Sequence, residues 1–472
     1  MRAKTTLALV LLMSLAPSFA MAQQPAPSQA QPNPLFLPVA TTTQTPNITA
    51  YNALNVPGLA HGATYLDPVT GVKIWKLTDS TFPSTDPLGF GHDYAEGGHE
   101  ISLPHTGTTR TILVRALTLP STVWWLIDFT PGVGVSNQRQ LPVGLAPAID
   151  NTFSFSSNPA TPFYAYTAVE DATASFSTIH RFDIRTLALA EGPGTGWPVV
   201  EPSAAPGTSA NRAVWLHGNK DDTFWTWMRG ANGPTVVSYV PATGVLQTQT
   251  LPTTNEPRVD REGRYIQIVT EAAVPPPPFN NSMSIWDTQT NTITWSAPGD
   301  GGVGNIGQIP FAHQASLRRL FMGLQYNCCA RAPFWNTDPS VVNSSAISSV
   351  VGGAGVPQHS SGNWVQPSTA QMQQWATTYF YGGIQPTDGK AWLFPGGIEY
   401  FKADGTQRAL AHPYNTQTDY HRLSFAKPSP DGFYLLFTSD MNGQPRSDVF
   451  MAELPTTVPT TVPNPPVNAS IR

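Results

Sequence analysis

The chain has 472 residues, a formal net charge of −5 and only 12% charged residues, with 38 glycines, 47 prolines and two cysteines. The low charge argues against a basic nucleic-acid surface, and two cysteines cannot build the fold through disulfides. The glycine and proline content favours many short strands and turns.

Residues 1–22 have the pattern of a secretory signal peptide. Two basic residues near the start precede an apolar run from Thr6 to Leu15, which is too short to span a bilayer. The small residues Ala20 and Ala22 frame a cleavage site. We therefore predict export to the periplasm or beyond with no later membrane span, and an uncleaved anchor is the alternative.

Residues 23–50 and 456–472 are rich in proline and threonine and almost free of charge. Such segments bury too little apolar surface to order themselves, so we expect a disordered linker and a disordered tail. The region 51–455 between them exceeds one ordinary core, which leaves several domains or a single repeat fold.

A repeated unit runs through this region: a short alternating strand, a polar turn and a second alternating strand. Its copies are centred on Asp67, Asp128, Asp183, Pro241, Asp287 and Ala403. They are spaced by roughly 50–60 residues, and one final step about twice as long predicts a hidden copy before Ala403.

This spacing, with about four strands per copy, predicts an all-β, seven-bladed β-propeller, with six or eight blades as alternatives. The last blade lacks an outermost strand, and the segment Val72–Leu77 can supply it and close the ring. The best helix candidate is Thr369–Thr377.

Two segments resemble known families. The segment SFAKPSPDGFYLLFTSDMNG from Ser424, followed by SDVFMAEL from Ser447, resembles the repeat of TolB-like propellers. The segment YLDPVTGVKIWKLTD from Tyr65, followed by a His-x-Tyr sequence at His92, resembles the opening of exported oligogalacturonate and ulvan lyase propellers. The first resemblance implies a fold, and the second also implies an acidic polysaccharide as partner.

Histidines recur near the predicted innermost strands, whose entry loops usually form the ligand-binding face of a propeller. They are His92, His217, His313 and His421. One hypothesis is a ring of imidazoles that exchanges protons or binds a divalent metal, with His313 as the metal ligand. The alternative is that each histidine caps a blade entrance by hydrogen-bonding the backbone.

Tyrosines and arginines accompany these histidines: Tyr94, Tyr420, Arg115, Arg258 and Arg422. A uronate lyase needs a base, a cation for the carboxylate and an acid for the leaving oxygen, and these side chains fit the three roles. We therefore hypothesise catalysis by His92, Tyr94, His217, His421, Tyr420, Arg115 and Arg258. For each arginine alone, bracing of a blade is the alternative.

Two acidic pairs provide a competing hypothesis, a glycoside hydrolase. They are Glu96 with Glu100, and Asp221 with Asp222. No spacing rule supports either pair, and Asp221–Asp222 fits an ordinary tight turn.

The irregular stretch 325–373 carries further candidates. Cys328–Cys329 could form a strained vicinal disulfide, which would offer a flat, apolar surface on which a sugar or cofactor stacks and so make both cysteines substrate-binding residues. The alternatives are two buried thiols or soft-metal ligands together with His313. Trp335 and Trp364 are predicted to stack on sugar, whereas Trp225 and Trp227 are predicted inter-blade core.

The leading hypothesis is a monomeric exported propeller whose partner is a glycan. That glycan is an acidic polysaccharide, which the protein binds and cleaves by β-elimination. The first alternative is a non-catalytic TolB-like scaffold for protein or glycan. A hydrolase or redox propeller that uses the cysteine pair as a cofactor platform is the second alternative.

Overall fold

The computed structural model describes most of the predicted repeat region. The described residues are 47–92, 98–118, 123–147, 152–170, 176–202, 213–229, 235–251, 256–260, 263–269, 283–295, the strands 315–317, 320–322, 333–336, 345–346, 356–362, 375–381 and 398–402, and then 407–417, 419, 422–431 and 433–453. The predicted signal peptide and the tail 456–472 lie outside them.

A short helix, α1 (Ile48–Ala53), precedes the first strand, and a 3₁₀ turn, Val56–Gly58, follows it. The Asn47 side chain caps α1 by accepting a hydrogen bond from the Ala50 N–H at 2.9 Å. Tyr51 on α1 stacks on Tyr414 with ring centroids 3.8 Å apart. The helix is thereby fixed to the C-terminal part of the fold.

Over the described residues, the strands form seven antiparallel sheets, six with four strands and one with five. Sheet 1 contains β3 (Phe90–Gly91), β4 (Arg110–Ala116), β5 (Trp124–Thr130) and β6 (Gly134–Gln140). Sheet 2 contains β7 (Phe153–Phe155), β8 (Tyr164–Glu170), β9 (Phe176–Asp183) and β10 (Val199–Pro202).

The next two sheets repeat this order. Sheet 3 contains β11 (Ala213–Gly218), β12 (Trp225–Arg229), β13 (Thr235–Val240) and β14 (Val245–Thr250). Sheet 4 contains β15 (Glu256–Val259), β16 (Tyr265–Val269), β17 (Met283–Asp287) and β18 (Thr292–Trp295).

Two sheets occupy the interval in which the hidden copy was predicted, and sheet 5 is that copy. Sheet 5 contains β19 (Ala315–Leu317), β20 (Leu320–Met322), β21 (Pro333–Asn336) and β22 (Ser345–Ala346). Sheet 6 contains β23 (Val356–Gly362), β24 (Trp375–Tyr381), β25 (Ile398–Lys402) and β26 (Gln407–Ala411).

The predicted helix Thr369–Thr377 is wrong where it can be checked, because β24 begins at Trp375. The β-branched and aromatic residues of WATTYFY favour a strand over the short polar run that suggested a helix.

Sheet 7 joins the two ends of the described chain. It contains β1 (Thr64–Leu66), β2 (Lys73–Lys76), β27 (Lys427–Pro428), β28 (Tyr434–Ser439) and β29 (Asp448–Glu453). Ile74 of β2 pairs with Ala452 of β29, so the predicted pairing of Val72–Leu77 with the last strand is observed. Strand β1 adds a fifth strand outside β2.

A buried ion pair accompanies this pairing. Lys76 Nζ lies 3.2 Å from Asp448 Oδ2 and donates hydrogen bonds to the carbonyls of Val56 and Pro57, both at 3.1 Å. Strands β2 and β29 are therefore tied by side chains as well as by backbone.

Aromatic side chains fill the space between consecutive sheets. Tyr166 of sheet 2 lies 4.0 Å from Trp225 of sheet 3, measured between ring centroids, and Trp197 contacts both. Trp225 and Trp227 are fully buried, which confirms their predicted place in the core. Such packing holds neighbouring sheets face to face. No helix among the described residues is long and apolar enough to cross a membrane.

Candidate functional site

The innermost strand of sheet 1 is interrupted. Gly91 of β3 pairs with Arg115 of β4, and Ile101 then forms a bridge with Ile112 of the same strand. The chain from His92 to His99 is therefore inserted between two parts of one inner strand. Its two terminal histidines are buried, and residues 93–97 lie outside the described part of the chain.

A short polar residue ends the innermost strand of five sheets, and its N–H donates back to the second strand of the same sheet. These turn residues are Ser102, Ser156, Asn219, Asp260 and Ser429. Asn219 Oδ1 accepts from the N–H of Thr223 at 2.8 Å, and the other side chains cap nearby backbone in similar ways. The five turns are therefore structurally equivalent, and they define one common register of the innermost strands in five sheets.

The residue two positions before each turn residue lies on the same face of its strand, because side chains alternate. We call this set the inner ring: Glu100, Ser154, His217, Arg258 and Lys427. All five are buried, with side chains no more than 4% exposed. Their formal charges, one negative and two positive with His217 neutral, leave a net charge of +1.

Contacts between sheets, one of them between sheets 1 and 3, which are not neighbours, place the inner ring at the centre of the molecule. The imidazoles of His99, in sheet 1, and His217, in sheet 3, have centroids 6.1 Å apart. Glu100 Oε1 accepts a hydrogen bond from Lys427 Nζ of sheet 7 at 2.7 Å. Side chains of sheets 1, 3 and 7 can meet only where the innermost strands converge.

Glu100 also holds His92. The His92 Nδ1 lies 2.9 Å from Glu100 Oε2, and its Nε2 lies 2.8 Å from the Ser424 carbonyl. Burial raises the pKa of Glu100, but Lys427 and His92 outweigh that effect and hold the pKa below its usual range. Glu100 is therefore an ionised carboxylate near neutral pH.

The two facing imidazoles are kept neutral. Burial lowers the pKa of His99 well below its usual range, and the charges of Lys427 and Arg258 lower it further. Burial likewise lowers the pKa of His217, together with Arg258 and His99. A neutral imidazole is the form that takes up a proton, but the burial and the two cations that keep these imidazoles neutral also make them weaker bases.

The structure distributes the predicted site residues as follows. His217 and Arg258 belong to the inner ring, and His92 joins it through Glu100. Arg115 lies in the second strand of sheet 1, where its guanidinium covers Trp124 at 5.3 Å, so it braces the sheet. The predicted Tyr94, Tyr420, His421, His313, Trp364, Cys328 and Cys329, and the side chain of Trp335 in β21, lie outside the described residues.

Two members of this site, His99 and Lys427, were missed by the sequence argument. Aligning the polar turn residues, rather than the histidines, would have placed Lys427 in register with His217 and Arg258. Glu100 was named only as a glycosidase acid, whereas both its carboxylate oxygens bind partners, Lys427 and His92.

The other acidic pair, Asp221–Asp222, lies in the turn between β11 and β12, as its sequence suggested. A metal site is not formed by the part of the chain that the structure describes, which contains no cluster of three histidine, cysteine or acidic side chains suited to an ion. The predicted ligand His313 falls outside that part.

Comparison with known proteins gives a fold. The oligogalacturonate lyase of Vibrio parahaemolyticus is similar in structure, with a TM-score of 0.55 and 12% identity over 84% of this chain and 96% of that chain. The β-propeller domain of the Trilobed protease from Pyrococcus furiosus has a TM-score of 0.42 and 9% identity, over 78% and 96%. No protein-family model and no curated protein sequence matches the chain.

The fold is a β-propeller. In a propeller the innermost strands line the central channel, and ligands commonly bind there. The inner ring of this propeller accordingly occupies the place in which the fold usually carries its site.

Proposed function

We propose that this protein is an exported, seven-bladed propeller that binds an acidic polysaccharide in its channel and cleaves it by β-elimination. One observation carries the proposal: the neutral imidazoles of His99 and His217 lie at the centre of the fold, close enough to Arg258 and Lys427 for both positive charges to lower their pKa values. The N-terminal signal pattern supports export, and the β2–β29 pairing supports closure of the ring by the N-terminal strand.

The chemistry of β-elimination matches these groups. A uronate residue carries a carboxylate next to a C–H bond, and a base must remove that proton. The electron pair then forms a carbon–carbon double bond while the bond to the glycosidic oxygen breaks, and that oxygen takes up a proton. Neutralising the carboxylate makes the first proton easier to remove.

We assign the base to His217, because it occupies a ring position beside Arg258. A substrate carboxylate bound to Arg258 would offset the positive charge that lowers the pKa of His217 and would so make it a stronger base. Arg258 is the proposed cation for the carboxylate. Lys427 adds positive potential while it stays bound to Glu100 at 2.7 Å. The acid for the leaving oxygen is proposed among Tyr94 and Tyr420, and His421 and His313 stay candidates for further roles.

The substrate class follows from the charge of the ring. Over the five sheets whose inner-ring side chains are described, the net charge is +1, and a positive charge attracts the carboxylates of a polyuronate. The structurally similar lyase acts on oligogalacturonate, which makes pectic fragments the first substrates to test.

Activity is measured as absorbance from new unsaturated ends during incubation with pectate, ulvan and other uronate polymers, with and without divalent metal. The wild type is expected to act on at least one polymer. His217→Gln is expected to lose activity at least about 100-fold, the usual contribution of a general base. Arg258→Gln is expected to lose about as much, because the substrate carboxylate then lacks its neutralising cation. His180→Gln is the matched control, since His180 lies in β9 and binds Glu191 instead of the ring.

If no polymer gives new unsaturated ends, with or without divalent metal, the enzymatic proposal is wrong. Equal activity of His217→Gln and the wild type would instead remove His217 from the reaction. Both variants are checked for folding by thermal unfolding before their rates are compared.

A second candidate function is a non-catalytic scaffold that binds protein or glycan. The burial of the ring favours it, because Glu100, Lys427 and His92 link sheets 1 and 7 as a brace would. This version expects binding of a glycan without new unsaturated ends, and ring variants that lower the melting temperature but leave glycan affinity unchanged.

A further inference from the structure

A second cluster of titratable groups lies away from the inner ring, at the boundary between sheets 2 and 3. Asp222 is in the β11–β12 turn of sheet 3 and has a left-handed backbone conformation with φ of 56°. Its Oδ2 accepts hydrogen bonds from Ser156 Oγ and from the Tyr166 hydroxyl, the latter at 3.2 Å. Its Oδ1 accepts from the Ser157 N–H at 3.2 Å. All three donors belong to sheet 2 or to its first turn.

The backbone of the same turn adds two more links. Asn158 Nδ2 donates to the Asp221 carbonyl at 3.0 Å, across the same boundary. Trp225 Nε1 donates to the Asp222 carbonyl at 3.0 Å, and Trp225 packs on Tyr166. The carboxyl of Asp222 is thus at the edge of the aromatic core between the two sheets.

The charged and titratable groups around this carboxyl are few. Its own turn carries Lys220 and Asp221, which face each other at 3.6 Å. Tyr166 of β8 contacts it directly, and Arg181 of β9 interacts with Tyr166. Among the described residues, no lysine or arginine lies within ion-pair distance of Asp222.

An equivalent turn elsewhere in the molecule is built differently. Asp431 follows the inner strand of sheet 7 and also reaches a neighbouring sheet, but there it meets a cation, Arg110 of β4, at 2.5 Å. One inter-sheet carboxyl is therefore charge-paired, whereas the other meets only hydroxyl and N–H groups.

We propose that Asp222 is a proton-operated latch between sheets 2 and 3, closed while its carboxyl keeps a proton and weakened when the proton is lost. Asp222 is half-buried, and an ionised carboxylate that is partly withdrawn from water with no cation beside it is less stable than a fully hydrated one. Losing the proton therefore favours a state in which the turn separates from Ser156 and Tyr166 and the carboxylate is fully exposed to water.

The titration supports this arrangement. Burial raises the pKa of Asp222 to about 7, and Asp221 adds to the increase, although the hydrogen bonds from Ser156, Ser157 and Tyr166 oppose it. A free aspartate titrates near 3.9, so the closed latch holds a proton that the open latch releases over the interval from about pH 4 to pH 7. Between about pH 4 and pH 7, the fraction of molecules in which the turn has separated from Ser156 and Tyr166 rises about tenfold per pH unit. Above about pH 7 that fraction is constant.

The test is hydrogen exchange of the full chain at several pH values between about 4.5 and 8, corrected for the intrinsic pH dependence of exchange. In the wild type, protection of the amides around Ser157 and Phe224 is expected to fall at least about tenfold as pH rises through this interval. In Asp222→Asn the protection is expected to be independent of pH, because the amide cannot ionise.

Melting temperatures give a second readout with a matched control. Relative to the wild type, Asp222→Asn is expected to gain stability between about pH 4.5 and pH 8, whereas Asp431→Asn is expected to lose stability at about pH 8 because it breaks an ion pair. Identical pH dependence in the wild type and Asp222→Asn overturns the proposal.

Ser156→Ala tests the latch without replacing the carboxyl. The Ser156 hydroxyl stabilises the ionised form, so its removal is expected to move the midpoint of the exchange transition to higher pH. An unmoved or lowered midpoint contradicts the latch even if Asp222→Asn fails to fold.

Discussion

His99 and His217 show how burial and charge fix the state of single residues. Both imidazoles are almost fully enclosed and lie near Arg258 and Lys427, so the native protein does not protonate them near neutral pH. Both imidazoles therefore stay neutral at a pH at which an exposed histidine would be partly protonated.

This neutrality predicts an acid-dependent loss of stability. In the unfolded chain both histidines titrate near pH 6.5, so below that pH they bind protons in the unfolded state but not in the native state. The stability contribution is complete above about pH 6.5 and falls by up to about 1.4 kcal/mol per imidazole per pH unit below it. Denaturant unfolding between about pH 8 and pH 5 measures the slope.

His217→Gln is expected to reduce the slope of stability against pH, because the unfolded variant has one fewer histidine to bind a proton that the native state does not bind. His180→Gln is expected to leave the slope unchanged. A slope unaffected by His217→Gln would show that His217 is protonated in the native state, and would also remove the basis for its role as a base.

At the scale of elements, the Glu100–Lys427 pair connects the inner strands of sheets 1 and 7. Breaking a buried ion pair from one side leaves an uncompensated charge. We expect Glu100→Gln or Lys427→Met alone to lower the free energy of unfolding by about 3–5 kcal/mol.

The double variant Glu100→Gln, Lys427→Met is the control for this pair. It is expected to regain a large part of the loss, because neither charge is then buried alone. Additive losses in the double-mutant cycle, measured by denaturant unfolding, would contradict a direct pair.

The sequence predicts elements well when they carry a local signal. The hairpins predicted around Asp128, Pro241 and Asp287 are observed, since turn chemistry and strand alternation are both local. The second strand predicted directly after Asp183 is wrong, because the next strand, β10, begins only at Val199. The WATTYFY strand was misassigned in part because the polar residues before it have helical propensity, whereas its pairing with β23 and β25 carries no local sequence signal.

The site was harder to predict than the strands. His217 and Arg258 were found, but nothing local at Lys427 indicates that it faces Glu100, which is 327 residues away. Only the common register of the turn residues brings such positions together, and that register depends on the whole fold. The Asp222 cluster has the same origin, since Ser156 and Tyr166 come from another sheet.

At the scale of the whole molecule, sheet 7 joins the N-terminal and C-terminal parts of the chain. Lys76→Met is expected to lower the free energy of unfolding by about 3 kcal/mol, because it leaves Asp448 buried with Arg446 as its remaining cation. The matched control for Lys76→Met is Lys73→Met in the same strand. The ion pair of Lys73 with Glu453 is partly exposed and should contribute less than about 1 kcal/mol to the free energy of unfolding. Thermal and denaturant unfolding compare the two, and equal effects would show that the buried pair does not stabilise the pairing of β2 with β29.

The pairing of Ile74 with Ala452 has a topological consequence. The second and the last strands of the described chain are hydrogen-bonded neighbours in one sheet, so a covalent linker could join the two terminal parts of the fold while new ends are opened elsewhere. The exposed turn after Val240 in sheet 3 connects two adjacent strands and offers such an opening. A circular permutant cut there would keep every strand pairing of the natural order, and its start and end would lie in sheet 3 instead of sheet 7.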